Sequence, residues 1–225
     1  MNAAEPKRPF DIDAVFDAVR EAVRPFPKAA MFELAQRGFR TPFQQLVACI
    51  ISIRTRDEES LPLSLRLFDA APTPAAMAAL TPETIAALIR PSTFHERKAV
   101  QIRAIARRVV DEFGGELPCD EAVMRSFSGV GVKCANLALG VACGEARISV
   151  DVHVHRIVNR WGYVRTSTPE QTTAALARSL PGKYWIEINA LLVPFGKHVC
   201  TGTAPKCSRC PVRAMCRQVG VTVHR

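Results

Sequence analysis

Four of the chain's eight cysteines crowd into its last 26 residues, as Cys200-x6-Cys207-x2-Cys210-x5-Cys216. Four thiolates so close in sequence can fold around one small metal centre, and this constrains the C-terminal part more than any hydrophobic pattern does. Structural zinc usually takes two short cysteine pairs or a cysteine–histidine mixture. Here one close pair, Cys207 and Cys210, is flanked on either side by a more distant cysteine. Iron–sulfur clusters accept such single-loop arrangements, while zinc and a set of reactive thiols stay open as alternatives. Cys49, Cys134 and Cys143 fall in apolar helical stretches, where cysteine acts as a small hydrophobe.

The segment Met1 to Arg8 lacks the apolar core of a signal peptide, and no apolar run reaches the roughly 18–20 residues that span a bilayer. The expected compartment is therefore intracellular (cytoplasmic), with the eight cysteines as thiols or metal ligands rather than disulfides. A length of 225 residues suits one large domain or two small ones, and 48% hydrophobic residues suffice for a substantial core. The net charge of +9 favours a polyanionic partner, nucleic acid before membrane, because each cation placed on a phosphate releases counterions. Simple solubility is the bland alternative.

Helical signals follow one another along the chain. Val15, Phe16, Val19 and Val23 mark one face after Asp11, a capping residue. Thr41-Pro42 opens a second helix whose buried face carries Phe43, Leu46, Val47, Ile50 and Ile51. Thr81-Pro82-Glu83 repeats this start, and Lys98 to Phe113 is periodic until Gly114-Gly115 stops it. Thr168-Pro169-Glu170-Gln171 reads as a capping box, and a last long helix is expected from about Lys183 to Phe195. No alternating stretch competes, so the fold class is all-α.

Between two helical stretches, Glu121 to Phe127 and Lys133 to Ala142, lies Ser128-Gly129-Val130-Gly131-Val132. A Gly-x-Gly turn leading into a helix start leaves amides free for a phosphate, although a plain tight turn reads the same way. Lys133 sits in the first turn of the following helix, where the macrodipole and partial burial favour the neutral amine that a nucleophile needs; the alternative is a solvated lysine. Asp151, in Val150-Asp151-Val152-His153, is either a helix N-cap or something more. His153 and His155 diverge on a helix, which favours packing or backbone bonding over metal binding.

Together these residues resemble the endonuclease III family of helix–hairpin–helix DNA glycosylases. The shared features are Thr41-Pro42-Phe43 leading to Ser52-x4-Asp57, Gly129-Val130-Gly131-x-Lys133, Val150-Asp151-x-His153, and the four-cysteine tail. The resemblance implies a 4Fe–4S cluster on Cys200, Cys207, Cys210 and Cys216. It also implies two helical lobes with a DNA cleft between them. A six-helix barrel with the hairpin would cover residues 35–145, and a cluster lobe would join 1–34 to 146–225. The implied partner is double-stranded DNA with a damaged base or abasic site, bound by a monomer. The implied activity is that of a base-excision glycosylase with β-elimination lyase activity on oxidised pyrimidines, in which Lys133 forms a Schiff base and Asp151 assists. Lyase action mainly on abasic sites, uracil or mismatched thymine is the near alternative. A non-catalytic iron–sulfur DNA-binding protein and a zinc-bearing DNA-binding module are the distant ones.

The chain departs from the family pattern in places. Arg54 stands where relatives carry the glutamine that enters the gap left by a flipped nucleotide, and a donor-only side chain there favours an orphaned purine presenting acceptors. Phe127-Ser128-Gly129 replaces Leu-Pro-Gly, which removes stiffness ahead of the turn. Lys206 is the one basic residue between Cys200 and Cys207, with Arg209 and Arg213 nearby as substitute phosphate contacts. Phe94 falls where relatives place an apolar wedge, and either stacks on an exposed base pair or packs inside its loop.

Overall fold

The computed structural model describes residues 7–225, so the first six residues of the N-terminal reading lie outside the described residues. Within these bounds the chain is helical, without a strand. The helices in order are α1 (Ile12–Val23), α2 (Ala30–Gln36), α3 (Pro42–Ser52), α4 (Asp57–Ala70), α5 (Pro74–Ala79), α6 (Pro82–Leu88) and α7 (His95–Phe113). After them come α8 (Glu121–Ser126), α9 (Val132–Cys143), α10 (Val152–Trp161), α11 (Pro169–Ser179) and α12 (Glu187–His198). None of these is long and apolar enough to cross a membrane.

The chain divides into two compact units: Ala30–Arg147, and the segment up to Ala29 joined to Ile148–Arg225. In the first unit, α3 is buried on nearly every side, from Phe43 to Ile51. Leu67 and Phe68 of α4, Ile85 of α6, Ile102 and Val109 of α7, and Ala138 and Leu139 of α9 join it in the core. Each large apolar side chain contributes about 1.5–3 kcal/mol when fully buried. In the second unit, Val15, Phe16 and Val19 of α1 pack with Ile157, Val158 and Trp161 of α10 and with Ile188 and Phe195 of α12. Phe16 stacks on Tyr184 at 4.0 Å, and Arg20 forks onto Glu187 at 2.8 and 3.0 Å, tying α1 to residues more than 160 positions later.

Start signals are realised as local chemistry demands. Asp11 accepts from the amides of Asp13 and Ala14, and Thr41 forms a reciprocal capping box with Gln44. At α11 the box is only half made. Thr168 caps Gln171, but the Gln171 side chain accepts from Ser167, one residue further back than expected. The last helix starts at Glu187, later than expected, because a short 3-10 turn (Gly182–Tyr184) follows Pro181 first. Helix α7 starts three residues earlier than expected, at His95, after Phe94 in the left-handed conformation.

The expectation that all eight cysteines avoid disulfides is corrected. Cys119 and Cys143 are bonded, with their Cα atoms 6.1 Å apart, a separation suited to a disulfide. Cys119 directly precedes Asp120, the cap of α8, and Cys143 closes α9, so the hairpin between these helices brings its two open ends together. Their separation of 24 positions hides this pairing in the sequence.

Candidate functional site

The turn between α8 and α9 is built to bring backbone close to a ligand. Gly129 has φ of 77°, a conformation that favours glycine, and a Cβ there would lie 2.8 Å from Nε2 of Gln101, displacing the end of that side chain from the turn. Val130 anchors the turn, its side chain 7% exposed. Gly131 holds the N-cap position of α9 in an extended conformation and provides no side-chain oxygen to the first-turn amides. By contrast, α8 and α10 are capped by Asp120 and Asp151. A first turn without a side-chain cap offers N–H groups and the positive end of a dipole to an anion. Lys133 lies in this turn and is exposed, so the partial burial considered for it is not found.

The stiffness lost with the missing proline is supplied from α7. Gln101 donates from Nε2 to the Ser128 carbonyl at 2.6 Å, and Arg108 donates to the Ser126 carbonyl and hydroxyl at 3.3 and 3.1 Å. The Arg108 guanidinium also covers the Phe127 ring at 4.7 Å. These side chains act over 18 to 27 residues of sequence, and no local signal announces them. Beside Lys133, Cys134 pairs with Cys49 of α3; the hydrogen bond with Cys49 and burial both raise the Cys134 thiol. Both cysteines are buried, as expected of small hydrophobes.

Arg54 and Phe94 come together. Both take positive φ, 55° and 59°, conformations that few side chains other than glycine adopt. Arg54 is exposed and Phe94 is 51% exposed, so of the two options for Phe94 the buried one falls. The Arg54 guanidinium carbon stands 5.8 Å from the Phe94 ring centroid.

In the second unit, Asp151 caps α10, accepting from the amides of His153 and Val154 at 2.9 and 2.8 Å. Both bonds fall on Oδ1, so capping engages one carboxylate oxygen. His153 bonds to Arg156 and packs against Gly196, where a Cβ would come within 2.5 Å of its ring. His155 bonds to Thr172 at 2.6 Å.

The same helix reaches the cysteine loop. Arg156 donates to the carbonyls of Gly196 and Cys200, and Arg160 to those of Thr201 and Gly202 at 2.6 and 2.7 Å. Cys200, Cys207, Cys210 and Cys216 line one cavity, walled by Trp161, Phe195 and Val199. Among the described residues, no three His, Cys, Asp or Glu side chains converge as ligands of a single ion. Burial pushes the Cys210 thiol up to about 12, and the other three cysteines add to the effect. Burial raises Cys216 likewise. Donors for sulfur are nonetheless in place: the Gln218 amide lies 3.3 Å from Cys216 Sγ, and Arg160 lies 3.5 Å from Cys200 Sγ. Lys206, just ahead of Cys207, is exposed, as are Arg209 and Arg213.

Comparison with known proteins identifies the family of the chain. Residues 47–181 match the family model described as HhH-GPD superfamily base excision DNA repair protein. Endonuclease III of Thermotoga maritima is 36% identical over 200 residues, covering 89% of this chain and 91% of the relative. Endonuclease III of Escherichia coli is 30% identical over 179 residues, covering 80% and 85%. A solved non-covalent endonuclease III–DNA complex superposes with a TM-score of 0.73 at 29% identity, covering 80% of this chain and 84% of that one. A trapped covalent endonuclease III–DNA intermediate matches equally well in fold, at 30% identity. The chain thus belongs to the HhH-GPD superfamily of base excision DNA repair proteins, within its endonuclease III family.

Proposed function

We propose that the chain is a bifunctional DNA glycosylase and abasic-site lyase that removes oxidised pyrimidines from duplex DNA inside the cell. The observation that carries this reading is the exposed Lys133 in the uncapped first turn of α9, directly after the Gly129–Gly131 turn. Backbone amides of Gly129 and Gly131 hold a DNA phosphate, while Val130, whose amide is given to the Phe127 carbonyl at 3.1 Å, fixes the turn between them; this places the damaged strand at the lysine. The lesion is flipped out of the stack at a cost of a few kcal/mol. The Lys133 amine then attacks the sugar C1′; a C–N bond forms and the bond to the base breaks. Loss of the amine proton with ring opening gives a Schiff base. Removal of a C2′ proton breaks the C3′–O bond and cuts the strand 3′ to the lesion. Asp151 accepts a proton or steadies positive charge on the sugar.

Arg54 fills the gap left by the flipped nucleotide, favouring guanine with its N7 and O6 acceptors as the orphaned base. Phe94 stacks beside it as the wedge. Lys206, with Arg209 and Arg213, contacts backbone phosphate. Cys200, Cys207, Cys210 and Cys216 hold a 4Fe–4S cluster. Their single-loop spacing with one close pair supports a multi-iron centre over a single zinc, and their burial around one cavity supports ligation, since thiolates need a compensating cation there. Bound there, such a cluster would supply a covalent tie among the four cysteines, which bracket the loop bearing Lys206. A single chain carries every residue named, in keeping with a monomer.

The test is base release and strand scission measured separately on duplexes containing an oxidised pyrimidine, uracil or a bare abasic site, with Lys133→Gln alongside. Release and scission on the oxidised base, both lost in the variant, are expected. Scission confined to abasic sites would leave a lyase with an altered pocket, and no reaction anywhere would leave a DNA-binding protein.

A further inference from the structure

Lys98 takes no part in the scheme above, yet it is a buried ammonium, 5% exposed, in the first turns of α7. Its Nζ donates to the carbonyls of Ile51 and Ile53 at 2.7 and 2.8 Å and to Oγ1 of Thr55 at 3.2 Å. Three donors thus meet three acceptors, the full capacity of the group. All three acceptors flank Arg54. From the other side, Thr93 Oγ1 donates to the Arg54 carbonyl at 2.8 Å, and the Thr93 amide donates to Thr55 Oγ1 at 3.3 Å. Thr93 precedes Phe94, and Phe94 caps the helix that carries Lys98.

We infer that Lys98 is a positioning residue that fastens the Arg54 loop to the start of α7, so that Arg54 and Phe94 enter DNA as one two-pronged wedge. This inference rests on the wedge reading of those two residues. Two left-handed residues facing each other are each unfavourable and persist only when their surroundings determine them. Local sequence does not do so here, because neither is glycine. The brace from Lys98 and Thr93 supplies the determination, and its bonds to a charged donor are the strong kind. Burial holds the ammonium near 8 instead of 10.5, which shows the cost of keeping a charge there. An apolar side chain would fill the same space without that cost but would leave the Ile51 carbonyl unpaired and the Ile53 carbonyl with only the long 3.4 Å bond from Thr55 Oγ1.

The test uses the full-length protein and two substrates, a duplex with an oxidised pyrimidine and a single-stranded abasic oligonucleotide, which has no partner strand to hold open. Lys98→Met is expected to lower base release from the duplex by about tenfold or more, the scale of a lost charge-assisted hydrogen bond. Scission of the single strand should stay within about twofold, because nothing there requires a wedge. In an Arg54→Ala/Phe94→Ala background, Lys98→Met should add no further loss on the duplex. Thr55→Val, which removes one acceptor at a half-buried site, should show the same split at about threefold and decides the matter if Lys98→Met does not fold. Equal losses on both substrates, or a further loss in the wedge-less background, would overturn the inference. If Arg54→Ala/Phe94→Ala loses duplex activity while Lys98→Met and Thr55→Val keep it, the inference alone fails. If the double variant keeps full duplex activity, the wedge reading itself fails and the inference with it.

Discussion

The unit of Ala30–Arg147 and the last 26 residues of the other unit are stabilised by different means. In the first, helices α2 to α9 contribute apolar side chains to one continuous core, and polar groups such as Gln101, Arg108 and Lys98 pin the turns on its surface. From Cys200 onward the chain forms one short 3-10 turn, and among its described residues Val212 is the fully buried aliphatic side chain. Cysteines take the place of a core there, aided by Arg156 and Arg160 from α10. A segment with so little apolar burial offsets little of its conformational entropy without ligation. By this comparison the first unit is expected to present its hairpin without a cofactor, whereas the cysteine loop is expected to depend on the proposed one.

Removing a proposed cluster ligand should therefore have the largest effect. Cys207→Ser is expected to abolish the broad visible absorbance of the purified protein and to open the segment after Cys200 to limited proteolysis. The stretch 30–147 should stay protected. Equal protection of both regions in the variant would break the comparison.

Next comes Asp151, whose observed cap and proposed catalytic duty can be separated. Asparagine caps a helix as well as aspartate does, so Asp151→Asn should keep the melting temperature while lowering base release by about a hundredfold, in the range for a positioned acid or base. Asp151→Ala should lose the cap as well, at about 1 kcal/mol. Unchanged turnover in Asp151→Asn would reduce this residue to a cap.

Gly129→Ala sharpens the contrast from the side of the first unit. A φ of 77° and a 2.8 Å approach to Gln101 together should cost about 1–2 kcal/mol of stability and weaken duplex binding, as seen in denaturant titration and a binding isotherm. Arg54→Gln should be milder still. Its expected effect is a shift of opposite-base preference away from guanine at nearly constant melting temperature, and identical preference profiles would remove Arg54 from the gap-filling role.

Features that depend on residues a few positions apart are legible in the sequence. The cysteine spacing, the Gly-x-Gly turn ahead of Lys133, and the Asp11 and Thr41 caps are of this kind. The all-helical class follows from periodicity in the same way. Features that depend on distant pairing are not legible there. Lys98 reads as one more charged residue of α7 until its partners 43 to 47 positions earlier are known. The Cys119–Cys143 bond, the Gln101 and Arg108 clamps on the hairpin, and the Arg156 and Arg160 ties to the cysteine loop share this property. Short helices such as α2 and α5, with seven and six residues, carry too few periodic positions to stand out.

The central claim is that Lys133 is the amine that takes the sugar. Borohydride added during reaction with an oxidised-pyrimidine duplex reduces the Schiff base to a stable bond, and peptide mapping then locates it. The account predicts an adduct on the peptide containing Lys133, absent in Lys133→Gln. An adduct mapped to another lysine, or one that survives in the variant, would contradict it.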